Sequence, residues 1–178
     1  LILSAKEILE EIKKKNIVIE PFRESSLGSN SYDVHLGPWL AVYEEPILDA
    51  KKENKIRYIE IPDDGYVLEP SMFYLGVTEE YTETHSAVPF LEGKSSIGRL
   101  GIDIHATAGK GDIGFCNYWT LELSVKIKVK IYKYMPIGQL IFFSISSSDV
   151  IPYNKKKNAK YNIISNKPLP SMMYKNFQ

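Results

Sequence analysis

Short runs in which apolar and polar residues alternate, each closed by a turn residue within a few positions, constrain this chain to a mostly β fold. The runs are Val34–Leu40, Ile56–Ile61, Tyr66–Leu68, Phe73–Thr78, Ile102–Ala106, Trp119–Val125, Ile127–Ile131 and Gln139–Ile145. A period of two places alternate side chains on opposite faces of a strand, so each run can bury one face and wet the other. Turn residues separate them: Gly28, Gly37–Pro38, Pro62–Gly65, Pro70, Gly109–Gly114 and Pro136–Gly138, drawn from ten prolines and eleven glycines. One segment breaks this pattern. Ser4 followed by Glu7 has the spacing of a capping box, which predicts a helix over residues 4–15 with Ile8, Leu9 and Ile12 as its apolar stripe. Lys13, Lys14 and Lys15 then fall in the last turn, where positive charge suits the helix dipole.

A chain of 178 residues with 44% hydrophobic and 12% aromatic content can bury one substantial core, so a single domain over 1–178 is expected. Lysine plus arginine number 22 and aspartate plus glutamate also 22, which provides no global positive field for a nucleic-acid backbone. No apolar run approaches the ~20 residues needed to cross a bilayer, and no apolar stretch follows basic residues near residue 1, so a cytoplasmic location is expected. Cys116 is the only cysteine and by itself cannot supply a structural zinc site. Lys126, Lys128 and Lys130 alternate with Ile127, Val129 and Ile131 and read as a solvated strand face. By composition alone, Lys155, Lys156, Lys157 and Lys160 read as a mobile basic tail.

Two segments carry chemistry. In Glu92–Gly–Lys–Ser–Ser–Ile–Gly–Arg–Leu–Gly101, backbone amides freed by Gly93 and Gly98, hydroxyls of Ser95 and Ser96, and charges on Lys94 and Arg99 are the donor types that a polyphosphate needs. The Walker A spacing is absent, and a serine-rich turn with an ordinary surface arginine accounts for the same residues. Downstream, Trp119–Thr–Leu–Glu–Leu–Ser124 places one carboxylate, Glu122, in an apolar strand. It is either a harmless glutamate on an exposed face with Thr120 and Ser124, or a cleft carboxylate able to take a proton from water and return it to a leaving group.

Together with Asn30–Ser–Tyr–Asp33, Thr107–Ala–Gly109, Ile137–Gly–Gln–Leu140, Tyr153, Lys160–Tyr161 and Pro170–Ser171, these segments closely resemble the dCTP deaminase family, in order and in spacing, over nearly the whole chain. The resemblance implies a distorted dUTPase-like β-barrel subunit in a homotrimer, with each nucleotide site between neighbouring subunits. It implies that Lys94, Ser95, Ser96, Ile97, Gly98 and Arg99 wrap the triphosphate, with Ser95 and Arg99 also near the reacting base. Asp112 would lie by the deoxyribose. Thr120, Leu121 and Glu122 would lie beside the cytosine, with Glu122 as general acid/base. Gln139, Tyr153 and Lys160 would contact the phosphates, and residues from about 150 to 178 would close over the nucleotide. Lys94 departs from the usual arginine, so it offers a point charge rather than a bidentate fork. Ile164 stands where a glutamine is frequent.

The implied reaction is hydrolytic deamination of dCTP to dUTP and ammonia, with dUTP or dTTP as further ligands. Mg²⁺ is expected on the triphosphate, held by phosphate oxygens and water. Zinc deaminases use H-x-E and P-C-x-x-C ligands, which one cysteine and the separated His35, His85 and His105 do not reproduce, so no zinc is expected. The three histidines read as structural. Rival readings are a dUTP pyrophosphatase and a catalytically silent nucleotide-binding barrel. A bifunctional enzyme releasing dUMP and pyrophosphate is a further alternative: Ala108–Gly109 resembles such relatives and the glycine could open room for a second water, whereas Lys110 and Gly111 depart from their apolar pair.

Overall fold

The capping box forms as its spacing requires. Glu7 N–H donates to Ser4 Oγ at 3.4 Å and Ser4 N–H donates to Glu7 Oε2 at 2.7 Å, opening α1 (Ala5–Lys13) in the computed structural model, which describes residues 1–147 and 149–178. The helix ends two residues before the expected 15. Lys15 adopts a left-handed φ of 59°, and Asn16 N–H donates to Glu11 O (2.9 Å) while Lys15 N–H donates to Ile12 O (3.0 Å). That is a Schellman stop built on a lysine where glycine is usual.

Among the described residues eleven strands succeed the helix: β1 (Ile17–Glu20), β2 (Tyr32–His35), β3 (Trp39–Tyr43), β4 (Ile56–Glu60), β5 (Tyr66–Leu68), β6 (Tyr74–Thr84), β7 (Ala87–Gly93), β8 (Ile102–Asp103), β9 (Cys116–Val125), β10 (Val129–Ile131) and β11 (Pro136–Ser144), with a one-turn helix α2 (Ser95–Gly98) after β7. They form a six-stranded sheet ordered β4-β3-β6-β9-β8 with β1 also on β6, a three-stranded sheet β2-β11-β7, and the pair β10-β5. The sheets enclose one apolar core, in which Tyr32, Leu36, Leu40, Leu68, Leu121, Ile137 and Phe142 are wholly buried. The fold is therefore mostly β, as the alternating runs require.

The run Val34–Leu40 divides into two strands in different sheets. Gly37 N–H donates to Val77 O at 2.7 Å, and a Cβ at Gly37 would approach Val77 O at 3.0 Å, so the chain crosses from β2 to β3 where only glycine fits. Pro38, without an N–H, comes next at the crossing. The alternating runs do not anticipate β1 or β7; β7 carries Pro89, which argues against a strand when read from sequence alone. β6 runs on to Thr84 through polar residues because Thr78, Glu80, Thr82 and Thr84 all point inward. Glu80 is fully buried and accepts from His35 N–H (2.8 Å), His35 Nδ1 (2.6 Å) and Arg23 Nη1 (3.3 Å), while burial raises its pKa. Of the lysine-alternating run only Val129–Ile131 is strand, and Ile127 is exposed beside Lys126 and Lys128.

The register of β9 decides which way Thr120 and Glu122 face. Trp119, Leu121, Leu123 and Val125 are buried on one face. At about 1.5–3 kcal/mol per buried side chain, a one-residue slip would forfeit on the order of 6–12 kcal/mol, so Thr120 and Glu122 are held to the opposite face by their neighbours' burial.

Helix α1 is tied to the turn after β6 through Glu11, which accepts from Lys14 Nζ (2.8 Å), Ser86 Oγ (2.6 Å) and Asn16 Nδ2 (2.9 Å). Those bonds, the lysine's first, lower its pKa to about 2. Since the folded-state value is depressed, the stabilisation is complete above the ordinary carboxylate pKa of about 4.5 and fades as pH falls from there toward 2. Glu11→Gln should therefore lose about 1–2 kcal/mol at pH 7 but almost nothing relative to the wild type near pH 2. Urea unfolding at both pH values checks this; an equal loss at both would contradict it.

Candidate active site

The outward face of β9 forms one wall of a cleft of about 600 Å³. Segment 106–112 forms a second wall, and the C-terminal segment supplies Tyr153, Tyr161, Leu169 and Ser171 to its rim. Glu122 is half-buried in this wall. Its N–H donates to Ile104 O at 2.8 Å and its Oε2 accepts the Ala106 N–H at 2.6 Å, so backbone on the facing segment fixes the carboxylate. Oε1 has no hydrogen-bond partner among the described residues. The strand therefore presents Glu122 as a positioned cleft carboxylate, not as one of a row of solvated side chains. Aromatic rings line the same space: Phe115 packs on Trp119 (5.1 Å between centroids) and on Tyr153 (5.8 Å), and Trp119 Nε1 donates to Thr82 Oγ1 at 2.9 Å. Aromatic side chains beside a fixed carboxylate are suited to a heterocyclic base.

Asp112 lies in the cleft between Lys110 and Lys156, the latter 2.8 Å away, and these two ammonium groups hold its carboxyl below the usual range. Thr120 Oγ1 accepts the Leu169 N–H (3.1 Å), which leaves its own proton available to the cleft. Leu121 is fully buried, so its side chain belongs to the core and only its backbone can serve a ligand.

The other expected residues lie away from this cleft in the single chain. Lys94, Ser95, Ser96, Gly98 and Arg99 do not line it. Ser95, Ser96 and Arg99 are exposed, and their side chains have no hydrogen-bond partner among the described residues. The amides of Ile97, Gly98 and Arg99 are already used, donating to Lys94 O, Lys94 O and Ser95 O at 2.9, 3.0 and 3.1 Å. The expectation that Gly98 frees an amide for phosphate is thus corrected: a helical turn consumes it. Ile97 anchors that turn in the core, and Lys94 is ion-paired with Asp33. Gln139 accepts from Ser31 Oγ at 3.5 Å, outside the cleft. Lys160 is half-buried and forms no ion pair among the described residues; Lys156 is the tail lysine that pairs with a cleft residue, Asp112. Gly109 serves packing rather than opening space, because a Cβ there would stand 2.7 Å from Leu91 O and 3.1 Å from His105 Nε2. His105 pairs with Glu92 (3.4 Å), and its Nδ1 is buried without a partner among the described residues.

The residue that sequence reasoning missed is Asn117. It lies on the inward phase of β9, the only side-chain amide in a series otherwise made of Trp119, Leu121, Leu123 and Val125, and that break in the pattern was its signal. Almost wholly buried, it donates to Tyr161 O (3.1 Å) and Ile163 O (2.9 Å) and accepts from Ser165 N–H (3.0 Å) and Tyr118 N–H (2.9 Å). Further contacts hold the same segment: Lys167 Nζ lies 3.9 Å from the Trp39 ring centroid, Tyr58 OH donates to Pro168 O (3.2 Å), and Ser171 N–H donates to Tyr43 OH (3.0 Å). The tail is thus packed along the cleft rim, contrary to what its basic composition implies.

Fold and cleft together describe a mostly β protein with a cleft on the outward face of β9. A family model described as dCTP deaminase-like matches residues 2–145, and the chain belongs to this enzyme family. Relatives named "dCTP deaminase, dUMP-forming" from Clostridium acetobutylicum (47% identical, 99% of each chain covered) and Clostridium beijerinckii (48%, 100% of this chain and 99% of that one) match end to end. Among solved structures, the dCTP deaminase from Agrobacterium tumefaciens superposes with a TM-score of 0.64 at 18% identity. It shares the fold over 79% of this chain and 47% of that one, so this chain spans about half its length.

Asn117→Asp keeps the shape but removes two donors to the tail. At about 1 kcal/mol per lost bond, the population with the segment detached should rise roughly 10- to 30-fold. Trypsin cleavage at Lys155–Lys160 should accelerate accordingly while thermal unfolding of the barrel changes little. Unaltered cleavage would show that Asn117 does not hold the tail.

Proposed function

We propose that the protein hydrolyses dCTP to dUTP and ammonia, with Glu122 as the proton carrier and without zinc. One observation carries this reading: the Glu122 carboxylate is fixed through Oε2 on the wall of an aromatic-lined cleft, leaving Oε1 for a water or a base edge. Water attacks C4 of the cytosine as Glu122 takes its proton. The same carboxyl protonates N3, and the remaining proton leaves with the C4 amino group as ammonia, so that one water is consumed and one ammonia released. Thr120 and the backbone at 104–106 and 121 edge the base, and Asp112 meets the sugar.

The serine turn completes the site from a neighbouring subunit of a homotrimer. In support, Ser95, Ser96 and Arg99 are exposed and without side-chain partners among the described residues, on a turn that does not line the cleft of its own chain. Arg99 and Ser95 then reach the base, while Lys94, Ser96, Gln139, Tyr153 and Lys160 serve the triphosphate. Since Ile97 is buried, the turn offers phosphate its first amides and its hydroxyls. Mg²⁺ enters on the triphosphate and neutralises phosphate charge; Asp33 and Glu92, two carboxylates near the turn, are already paired with Lys94 and His105, which fits a cation carried by the nucleotide. The C-terminal segment closes the rim over the bound nucleotide.

A second reading, continuation to dUMP and pyrophosphate in the same cleft, is favoured by the names of the Clostridium relatives and by the place of Asp112, which could orient a water toward the α-phosphorus. Incubation with dCTP and magnesium as the sole added metal, with ammonia assayed and nucleotides resolved by ion exchange, tests both. Ammonia with accumulating dUTP supports the first reading. Ammonia with dUMP and pyrophosphate from the earliest turnovers supports the second. No ammonia would leave a dUTP pyrophosphatase or a binding protein.

Glu122→Gln should lower ammonia release by about 100- to 10,000-fold while retaining dCTP binding, because the amide keeps the shape but cannot carry the proton. Activity equal to the wild type would remove Glu122 from the mechanism.

A further inference from the structure

The far end of the β6–β9 ladder gathers three side chains of metal-binding type that the deamination chemistry does not use. Strand geometry assembles them. Glu83 in β6 and His85 just beyond it are two residues apart, and Cys116, the first residue of β9, is the cross-strand partner of Glu83. Residues at i and i+2 share a face, and directly opposed residues on paired strands share it too, so all three project together. A carboxylate oxygen of Glu83, a ring nitrogen of His85 and Cys116 Sγ lie within 4.8 Å of one another, with His85 Nε2 to Glu83 Oε2 at 2.8 Å.

The environment suits a cation. Among the described residues no lysine or arginine pairs with Glu83; its partners are the His85 ring and the Tyr81 hydroxyl, which donates to Oε1 at 2.8 Å. Tyr81 thereby fixes the oxygen that is not turned toward His85, as an outer-shell donor orients a metal-bound carboxylate. The other mixed cluster, His35 with Glu79 and Glu80, lacks this vacancy because Arg23 reaches both carboxylates, at 2.7 and 3.3 Å. At the Cys116 end the ligands are half-buried to exposed, so an ion can enter from solvent.

We propose that Glu83, His85 and Cys116 form a zinc site. One thiolate, one imidazole and one carboxylate are a borderline-soft set of three, which selects Zn²⁺ over Mg²⁺ and leaves a fourth tetrahedral position for water. The thiol proton leaves when the Zn–S bond forms, with no change of oxidation state. This zinc takes no part in deamination: Cys116 and Glu122 are six residues apart on one strand, on the order of 20 Å. It sits instead beside the root of the tail. Asn154 Nδ2 lies 3.8 Å from Cys116 Sγ, and Asn154 N–H donates to Gly114 O at 3.2 Å. Metal binding replaces the Asn154 side-chain contact and joins the turn after β6 to the start of β9.

The full-length protein, stripped with chelator and titrated with Zn²⁺ and separately with Co²⁺, tests the site. One Zn²⁺ per chain is expected, with a thiolate-to-cobalt charge-transfer band in the Co²⁺ form and protection of Cys116 from a thiol reagent by zinc. His85→Gln keeps the thiol and should weaken zinc binding by more than about 100-fold. Tyr81→Phe should weaken it by about 10-fold, as befits an outer-shell partner. Both variants should release ammonia from dCTP at the wild-type rate without zinc, which separates this site from the proposed reaction and reports folding. Zinc binding below one equivalent, or binding by His85→Gln equal to the wild type, would overturn the assignment.

Discussion

The pairing of β6 with β9 is the constraint on which the rest of the molecule depends. Tyr74↔Leu123, Leu75↔Glu122, Val77↔Thr120, Tyr81↔Tyr118 and Glu83↔Cys116 are held in one antiparallel ladder, with a bulge between Val77 and Tyr81. Because the side-chain period is two, burying Trp119, Leu121 and Leu123 on one face assigns Glu122 and Thr120 to the other. The Glu122 carboxylate is therefore placed by the hydrophobic effect acting on its neighbours, and its orientation is fixed by one backbone hydrogen bond, from Ala106. The bulge is where this ladder admits polar groups. Thr78 Oγ1 donates to Glu80 O (2.9 Å) and accepts the Trp119 N–H (2.9 Å), so backbone left unpaired by the register shift is satisfied by a buried hydroxyl.

Two buried polar side chains turn that ladder into a scaffold for segments far away in sequence. Glu80 binds the backbone and ring of His35 and the guanidinium of Arg23, which joins the six-stranded sheet to β2 of the three-stranded one. Asn117 does the same for the C-terminal segment, with three of its four hydrogen bonds going to residues 161–165. A buried amide with every bond made stabilises the single arrangement that makes them; any displacement of the tail leaves donors stranded in the interior, where each costs about 1–3 kcal/mol. The aromatic clamp of Trp39 and Tyr58 on Lys167 then adds an attachment that needs no exact register.

What was legible in the sequence was what has a short period. The capping box at Ser4 and Glu7, the alternation in Trp119–Val125 and the apolar spacing of β11 each report on near neighbours, and each was readable for that reason. β1 is only four residues long, β7 contains Pro89, and the second half of β6 buries threonines and a glutamate instead of aliphatics, so none carried the expected signal. Long-range charge pairing was invisible for a different reason. Nothing in the order of residues indicates that Lys94 would pair with Asp33, or Lys156 with Asp112, across separations of 61 and 44 residues. The family resemblance points to Glu122 and the serine turn, and the strands place the two apart in one chain.

Charge pairing also bears on how an anionic nucleotide is admitted to a protein with no net charge. Lys94 is neutralised by Asp33, whereas Lys110 and Lys156 share the single carboxylate of Asp112, so these three lysines are paired but one positive charge is left over before any ligand arrives. Arg99, exposed on a turn anchored by buried Ile97, and Lys160 in the tail have no ion pair among the described residues. Under the proposed function a triphosphate would gain little from a long-range field, and recognition would rest on exchanging carboxylate partners for phosphate oxygens at close range. Such an exchange nearly conserves the number of ion pairs for Lys94, Lys110 and Lys156, so its net contribution is small in each case. Selectivity would then rest on Arg99 and Lys160, which have no carboxylate partner to give up, and on the fit of the base against Phe115 and Glu122, which is where a cytosine-specific reaction requires it.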